Sequence, residues 1–185
     1  NKDQFARLTR WLRLLPPEAK EHHAGLLLAE ARIAILNSRF TEAAVFLDHA
    51  ESELAKQPRD PAPGTLDAAE LMSLRSVLDF WAGDVERFES ASRHLLSVLP
   101  PGASHLRGMA HTGIASAAYM RGDLAGGLRY LDSRLGEKSP RSPGYAWLLQ
   151  TQAFLYWIDG DWTRLWQAAT RLLQVSEELE LADQE

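Results

Sequence analysis

Six histidines, 25 carboxylates and no cysteine are the groups from which this 185-residue chain would have to build a reactive centre. The histidines are His22, His23, His49, His94, His105 and His111. A helical zinc site needs two ligands one turn apart on one face, as in H-E-x-x-H, and none of the six stands at that spacing. His22 and His23 are adjacent at a helix start, so their rings point in different directions and are read as solvated. Ser104 directly precedes His105, but a nucleophilic serine also needs an oriented base and an oxyanion hole. Ser104 is better read as the N-cap of a helix that follows Pro100-Pro101. Paired carboxylates such as Glu51 with Glu53 and Glu177 with Glu178 belong to acidic helix surfaces, which are usually solvated. The expectation is no catalytic residue, no metal site and a non-enzymatic chain.

The bulk composition narrows the partners. An apolar share of 45% is that of a folded protein. The formal charge is −5, and its 20 basic residues are scattered rather than gathered in a stripe, so the footprint of direct nucleic-acid binding is missing. Without cysteine there are no disulfides and no thiolate zinc site, in agreement with a reducing cytoplasm. No signal peptide is visible, and the longest uncharged run, Ser142 to Ile158, is short for a membrane span and carries Pro143, Gly144, Gln150 and Thr151. No membrane contact is expected. The chain begins at Asn1 rather than a methionine, and a piece of a longer protein is expected.

The elements that position these residues follow from a repeated pattern. Between Arg107 and Gly136, Ile114, Ala115 and Ala118 share one helical face with His111, and Leu124, Gly127, Leu128 and Leu131 share another. Gly122-Asp123 separates them: Gly ends the first helix in the left-handed conformation and Asp accepts the free N–H groups of the second. Ala115, Ala118 and Gly127 are small enough for the paired helices to approach closely. The same hairpin recurs at turns near Ser38, Gly83, Gly122 and Gly160, at a period of about forty residues, the mark of an α-solenoid. The spacing predicts hairpins over 21–57, 66–99, 104–138 and 144–180, a proline-rich loop over 58–65, and over 1–17 the second helix of a truncated hairpin, stopped by Pro16-Pro17. In the first hairpin, Thr41 or Ser38 is expected to cap the second helix. The fold predicted is all-α, a tetratricopeptide-like right-handed solenoid of about nine helices forming one domain. The acidic tail after Glu177 lies at a helix C-terminus, where the dipole disfavours it, and is expected to fray.

These residues resemble the tetratricopeptide-like sensor region of the MalT-type, large ATP-binding LuxR transcriptional activators. The resemblance is carried by Trp11-Leu12 with Leu15-Pro16, by Arg39-Phe40-Thr41-Glu42-Ala43 with Leu47, Ala50 and Glu51, by Leu74-Arg75 before Gly83-Asp84, and by Arg107-Gly108-Met109-Ala110 before Ala115 and Gly122-Asp123-Leu124. It implies a superhelix that binds an inducer, between an ATPase and a helix-turn-helix. This chain has neither a G-x-x-x-x-G-K-[ST] loop nor a basic recognition helix, so the resemblance implies ATP and DNA only for other domains of a parent protein. The chain departs from the family's pattern at Phe88, where Ala is usual, and at Arg75 and Asp79, which fall on the packing face and are expected to pair with each other at i, i+4.

The register proposes where an effector would sit. If Ala153 and Tyr156 face the partner helix, then Trp147, Gln150, Phe154 and Trp157 lie on the opposite side, the concave surface of such a stack. Equivalent positions in the other hairpins are Arg32 and Ile35, then Ser73, Val77 and Phe80, then Thr112, Ser116 and Tyr119. Flat rings with a few hydrogen-bonding groups suit a small organic effector such as a sugar or an aromatic acid. The alternatives left open are a stand-alone adaptor that docks a peptide or a neighbouring domain, and aromatics that simply pack on a following hairpin.

Overall fold

The turn at Gly122-Asp123 is built as its residues dictate. Gly122 has φ +86°, the Asp123 N–H donates back to the Ala118 carbonyl at 2.9 Å, and the Asp123 carboxylate accepts from the Gly126 N–H at 2.8 Å. This closes the first helix with a six-to-one bond and opens the second with a side-chain cap. Asp84 and Asp161 repeat both bonds after Gly83 and Gly160. At the first turn Ser38 takes the left-handed place at φ +57°, and the Arg39 N–H closes onto Ala34. Ser38 therefore ends a helix, and Thr41 lies inside the next one, which starts at Phe40.

A computed structural model describes residues 9–12, 14–56, 66–100, 102–137 and 142–182. The described residues form α1 (Pro17–Glu21), α2 (Ala24–Leu36), α3 (Phe40–Lys56), α4 (Leu66–Ala82), α5 (Val85–Val98), α6 (Ser104–Met120), α7 (Leu124–Glu137), α8 (Pro143–Asp159) and α9 (Trp162–Ala182), with residues 9–12 and 14 also helical. The protein is all-α, and no strand occurs among the described residues. Most of the lone first helix, the loop at 58–65 and the end of the acidic tail lie outside them. Helix α1 was not expected, because Pro16-Pro17 reads as a stop. Pro17 instead starts a short helix, where its missing N–H costs nothing and its fixed φ is already helical.

The chain divides into two compact units, Asn1–Leu78 and Asp79–Glu185, with the boundary inside α4, where a single domain was expected. In the first unit, Leu27, Leu28 and Ala31 of α2 pack with Leu47 and Ala50 of α3 and with Leu71 and Leu74 of α4. Arg75 does not pair with Asp79. Its guanidinium reaches α3 and meets Asp48 at 2.8 Å and Glu51 at 2.6 Å, while Asp79 meets Arg87 at 3.6 Å in the second unit. A charge on a packing face is held by whichever opposite charge the neighbouring helix presents, and α3 presents two.

The second unit stacks successive hairpins. Helix α6 packs on α5, α7 and α8, and α8 packs on α6, α7 and α9. Its core is Ala115, Leu131, Leu135, Tyr145, Leu148, Leu149, Leu155 and Val175. The bulk of Phe88 is offset across the contact. The buried Phe88 ring comes against Gly113, whose absent Cβ would meet it at 3.4 Å, and against Phe80, ring centroids 5.3 Å apart. Ala115 is fully buried at the α6–α7 contact, where a Cβ on Gly127 would stand 2.8 Å from the Ala115 carbonyl oxygen. Ala118 and Ala153 are only half-buried.

Candidate functional site

Helices α6 and α8 run side by side, and their spacing is set differently along their length. At the start of α8 the backbones touch. A Cβ on Gly108 would lie 2.5 Å from the Gly144 Cα, and a Cβ on Gly144 would lie 2.3 Å from the Ser104 carbonyl oxygen. Ser104 is not the N-cap. Ala103 holds that place without a side-chain bond, and the Ser104 hydroxyl accepts from the Gly144 N–H at 3.4 Å, which ties the two helix starts together.

Further along, the helices are joined by side chains. The hydroxyls of Thr112 and Thr151 meet at 3.0 Å, and both lie within hydrogen-bond distance of the Trp147 carbonyl. The Trp147 indole donates to Nδ1 of His105 at 3.0 Å, so that nitrogen carries no proton, and the two rings meet edge-on. At the far end Tyr119 and Phe154 meet edge to face at 6.2 Å, and Phe154 stacks at a tilt on Trp157 at 6.0 Å. Phe154 and Trp157 are exposed, as is Gln150 between them and Trp147. The result is an open strip of rings with hydrogen-bonding groups at one edge.

The structure thus brings together Trp147, Gln150, Phe154, Trp157, Thr112 and Tyr119 on one face of the α6–α8 pair. Phe80 is not part of that strip. It packs against Trp81 and Phe88 in the hairpin of α4 and α5. Arg32 lies in the first unit and binds Glu70 of α4. Ser73 and Ser116, expected to line the groove, are buried. His105 was not foreseen as a member. It stands seven residues before Thr112, the spacing that shares a helical face, and this signal was readable.

The other face of α8 is the packed one. Tyr145, Leu148, Leu149, Gln152, Leu155 and Tyr156 are buried, and the Gln152 amide donates to Asp132 of α7 at 2.6 Å. Burial raises the pKa of Tyr156 above the ordinary phenol value, with Asp132 adding in the same direction. On this side an open hollow of about 430 Å³ is lined by Asp123, Leu128, Asp132, Tyr156, Asp159 and Arg164. Of its charged groups, Asp123 accepts from the Gly126 N–H, Asp132 accepts from Gln152 and Arg164 lies beside Asp161 at 3.5 Å. Among the described residues no group of three His, Asp or Glu side chains could hold a metal ion, and no helix is long and apolar enough to cross a membrane.

No protein-family model matches this chain, and no solved structure matches it. The class defined by the fold is an all-α protein of helical hairpins.

Proposed function

We propose that this chain is a binding module, an effector-sensing segment of a cytoplasmic transcriptional regulator of the kind its sequence resembles, with its hairpins forming a tetratricopeptide-like solenoid. The observation that carries the proposal is the strip of exposed Phe154, Trp157 and Gln150 with half-buried Tyr119, Trp147 and His105 beside them. Large apolar rings left at the surface mark a contact. Here they stand beside hydroxyl and amide groups that can direct a ligand. The ligand class is a small organic molecule with flat or ring-shaped apolar faces and hydroxyl or carboxylate groups, such as a sugar or an aromatic acid. The module itself does no chemistry, and nucleotide hydrolysis and DNA contact belong to neighbouring domains of the parent protein. A second reading, a regulatory protein segment in the same place, is favoured by the openness of the strip, since small-molecule sites are usually concave.

The test is a titration of saccharides and aromatic carboxylic acids followed by tryptophan fluorescence, in the native chain and in Trp147→Ala and Phe154→Ala. Binding weakened by about tenfold or more in both variants, roughly 1.4 kcal/mol, supports the effector strip. Equal affinity in all three proteins contradicts it. The regulator reading has its own check in the parent gene: an ATPase upstream and a helix-turn-helix downstream support it, and the absence of both sinks it.

A further inference from the structure

The open hollow on the packed side of α8 carries charges that the fold does not use. Its walls are α7 of one hairpin and α8 with the first turn of α9 from the next. Its volume of about 430 Å³ falls within the range of small-molecule pockets, about 300 to 1,000 Å³. Asp159 at the end of α8 and Arg129 on α7 both line it, and neither makes a hydrogen bond or an ion pair among the described residues. Asp132 gives one oxygen to Gln152 and keeps the other. Tyr156 adds a built feature to these surface charges. The residue is only 7% exposed, yet its hydroxyl has no hydrogen-bond partner among the described residues. Besides burial, the groups that act on that hydroxyl are Asp132, Arg164, Asp161 and Asp159, which lie in or beside the hollow. Packed polar groups normally find a partner within the protein. This one faces the hollow instead.

The mixture of groups selects the ligand. Among the described residues no three carboxylates or histidines are placed to hold a metal ion, which leaves an organic cation for Asp132 and Asp159. An ammonium group has three N–H donors, one for each of these carboxylates and one for the phenol oxygen. Arg129 calls for the opposite charge, and a guanidinium holds a carboxylate with two parallel bonds. Leu124 and Leu128 supply an apolar wall. We propose that the hollow is a second binding site, separate from the aromatic strip on the other face of α8, and that its ligand is a free amino acid. The ammonium group meets Asp132, Asp159 and the Tyr156 hydroxyl, the carboxylate meets Arg129, and the side chain lies along Leu124 and Leu128. A plain amine or a plain acid satisfies only one sign of charge.

Isothermal titration calorimetry of the full chain with each of the standard L-amino acids tests the proposal. The expected result is saturable binding of at least one of them, with a dissociation constant below about 1 mM. Its amide keeps the ammonium group and loses the carboxylate, and its N-acetyl form does the reverse, so each should bind about tenfold more weakly. Tyr156→Phe keeps the packed ring and removes only the unpartnered hydroxyl, so it should weaken binding by about fivefold while the melting temperature stays where it is. Asp159→Asn and Arg129→Gln, at exposed positions, should each weaken binding by about fivefold or more. Phe154→Ala, on the aromatic strip, should leave it unchanged. No saturable binding of any amino acid up to about 10 mM overturns the proposal. Binding that persists undiminished in Tyr156→Phe, Asp159→Asn and Arg129→Gln also overturns it, as does an amide or N-acetyl form that binds as tightly as the free amino acid.

Discussion

Two ends of one helix pair, α6 with α8, show how the same packing problem is solved for different purposes. At the Gly108–Gly144 end the two backbones touch, with only the Ser104 hydroxyl beside them. At the Tyr119–Phe154 end two rings keep them apart, and the outer faces of those rings remain in contact with water. The glycine end has no side chain larger than Ser104 to rearrange, so it fixes where the helices cross. The aromatic end can exchange solvent for a ligand without disturbing that crossing. On the proposed function, stability and recognition would fall to opposite ends of the pair.

The change that breaks this division most strongly is a methyl group at the glycine end. Gly108→Ala or Gly144→Ala puts a Cβ within 2.5 Å of backbone atoms that cannot turn aside. Each should destabilise the chain by on the order of 3 kcal/mol despite the better helix propensity of alanine, as measured by thermal or urea unfolding. An unchanged midpoint in both would mean that the helices do not touch there.

The next largest effect distinguishes a packed position from a merely adjacent one. Ala115→Leu forces four-carbon bulk into a site with no exposure and should cost about 2 kcal/mol. Ala153→Leu, at a position taken from the sequence to face the partner helix, lies half-buried and should cost less than about 1 kcal/mol. Equal losses in the two melts would contradict the packing described for α8.

The smallest effect concerns the tie beside the aromatic end. Arg121, which follows Tyr119 by two residues, binds Glu89 of α5, and Arg93 binds the same carboxylate at 2.6 Å. Partial burial of Glu89 acts to raise its pKa, but the bonds and charges of Arg93 and Arg121 outweigh it and hold the carboxyl below its ordinary value. A depressed folded pKa contributes stability that is present above the unfolded value, near 4, and is lost as pH falls through the folded one. Relative to Glu89→Gln, the native chain should therefore keep a small advantage at neutral pH that is lost progressively as pH falls below about 4. Parallel unfolding curves for both proteins from pH 7 to pH 3 would remove the carboxylate from the account.

What could be read from the sequence was whatever depends on neighbours along the chain. The hairpin turns at Gly83, Gly122 and Gly160 announce themselves because a left-handed residue followed by a capping aspartate is a local requirement. The ring face of α8 likewise follows from spacings of three, four and seven. Contacts between hairpins were not legible in the same way. Gly127 was recognised within its hairpin, whereas Gly108 and Gly144 were not recognised as a crossing point, because that pairing depends on how one hairpin is rotated against the next. The same rotation decides that Ser116 turns inward while Thr112 and Tyr119 reach the strip, and that Phe80 meets Phe88 instead. Arg75 shows a third case. An intrahelical partner was available at the right spacing, but α3 offered two carboxylates at closer fit.

The proposed function places effector binding at the aromatic end of the α6–α8 pair, and not at the rest of the molecule's exposed tryptophan. The six indole N–H signals of a nitrogen-15-labelled chain provide separate reporters for it, assigned by single Trp→Phe variants. In a titration with a ligand found by the fluorescence screen, the signals of Trp147 and Trp157 should shift together and saturate, while those of Trp162 and Trp166 remain where they are. Saturable binding that moves Trp162 or Trp166 and leaves Trp147 and Trp157 unmoved would contradict the account.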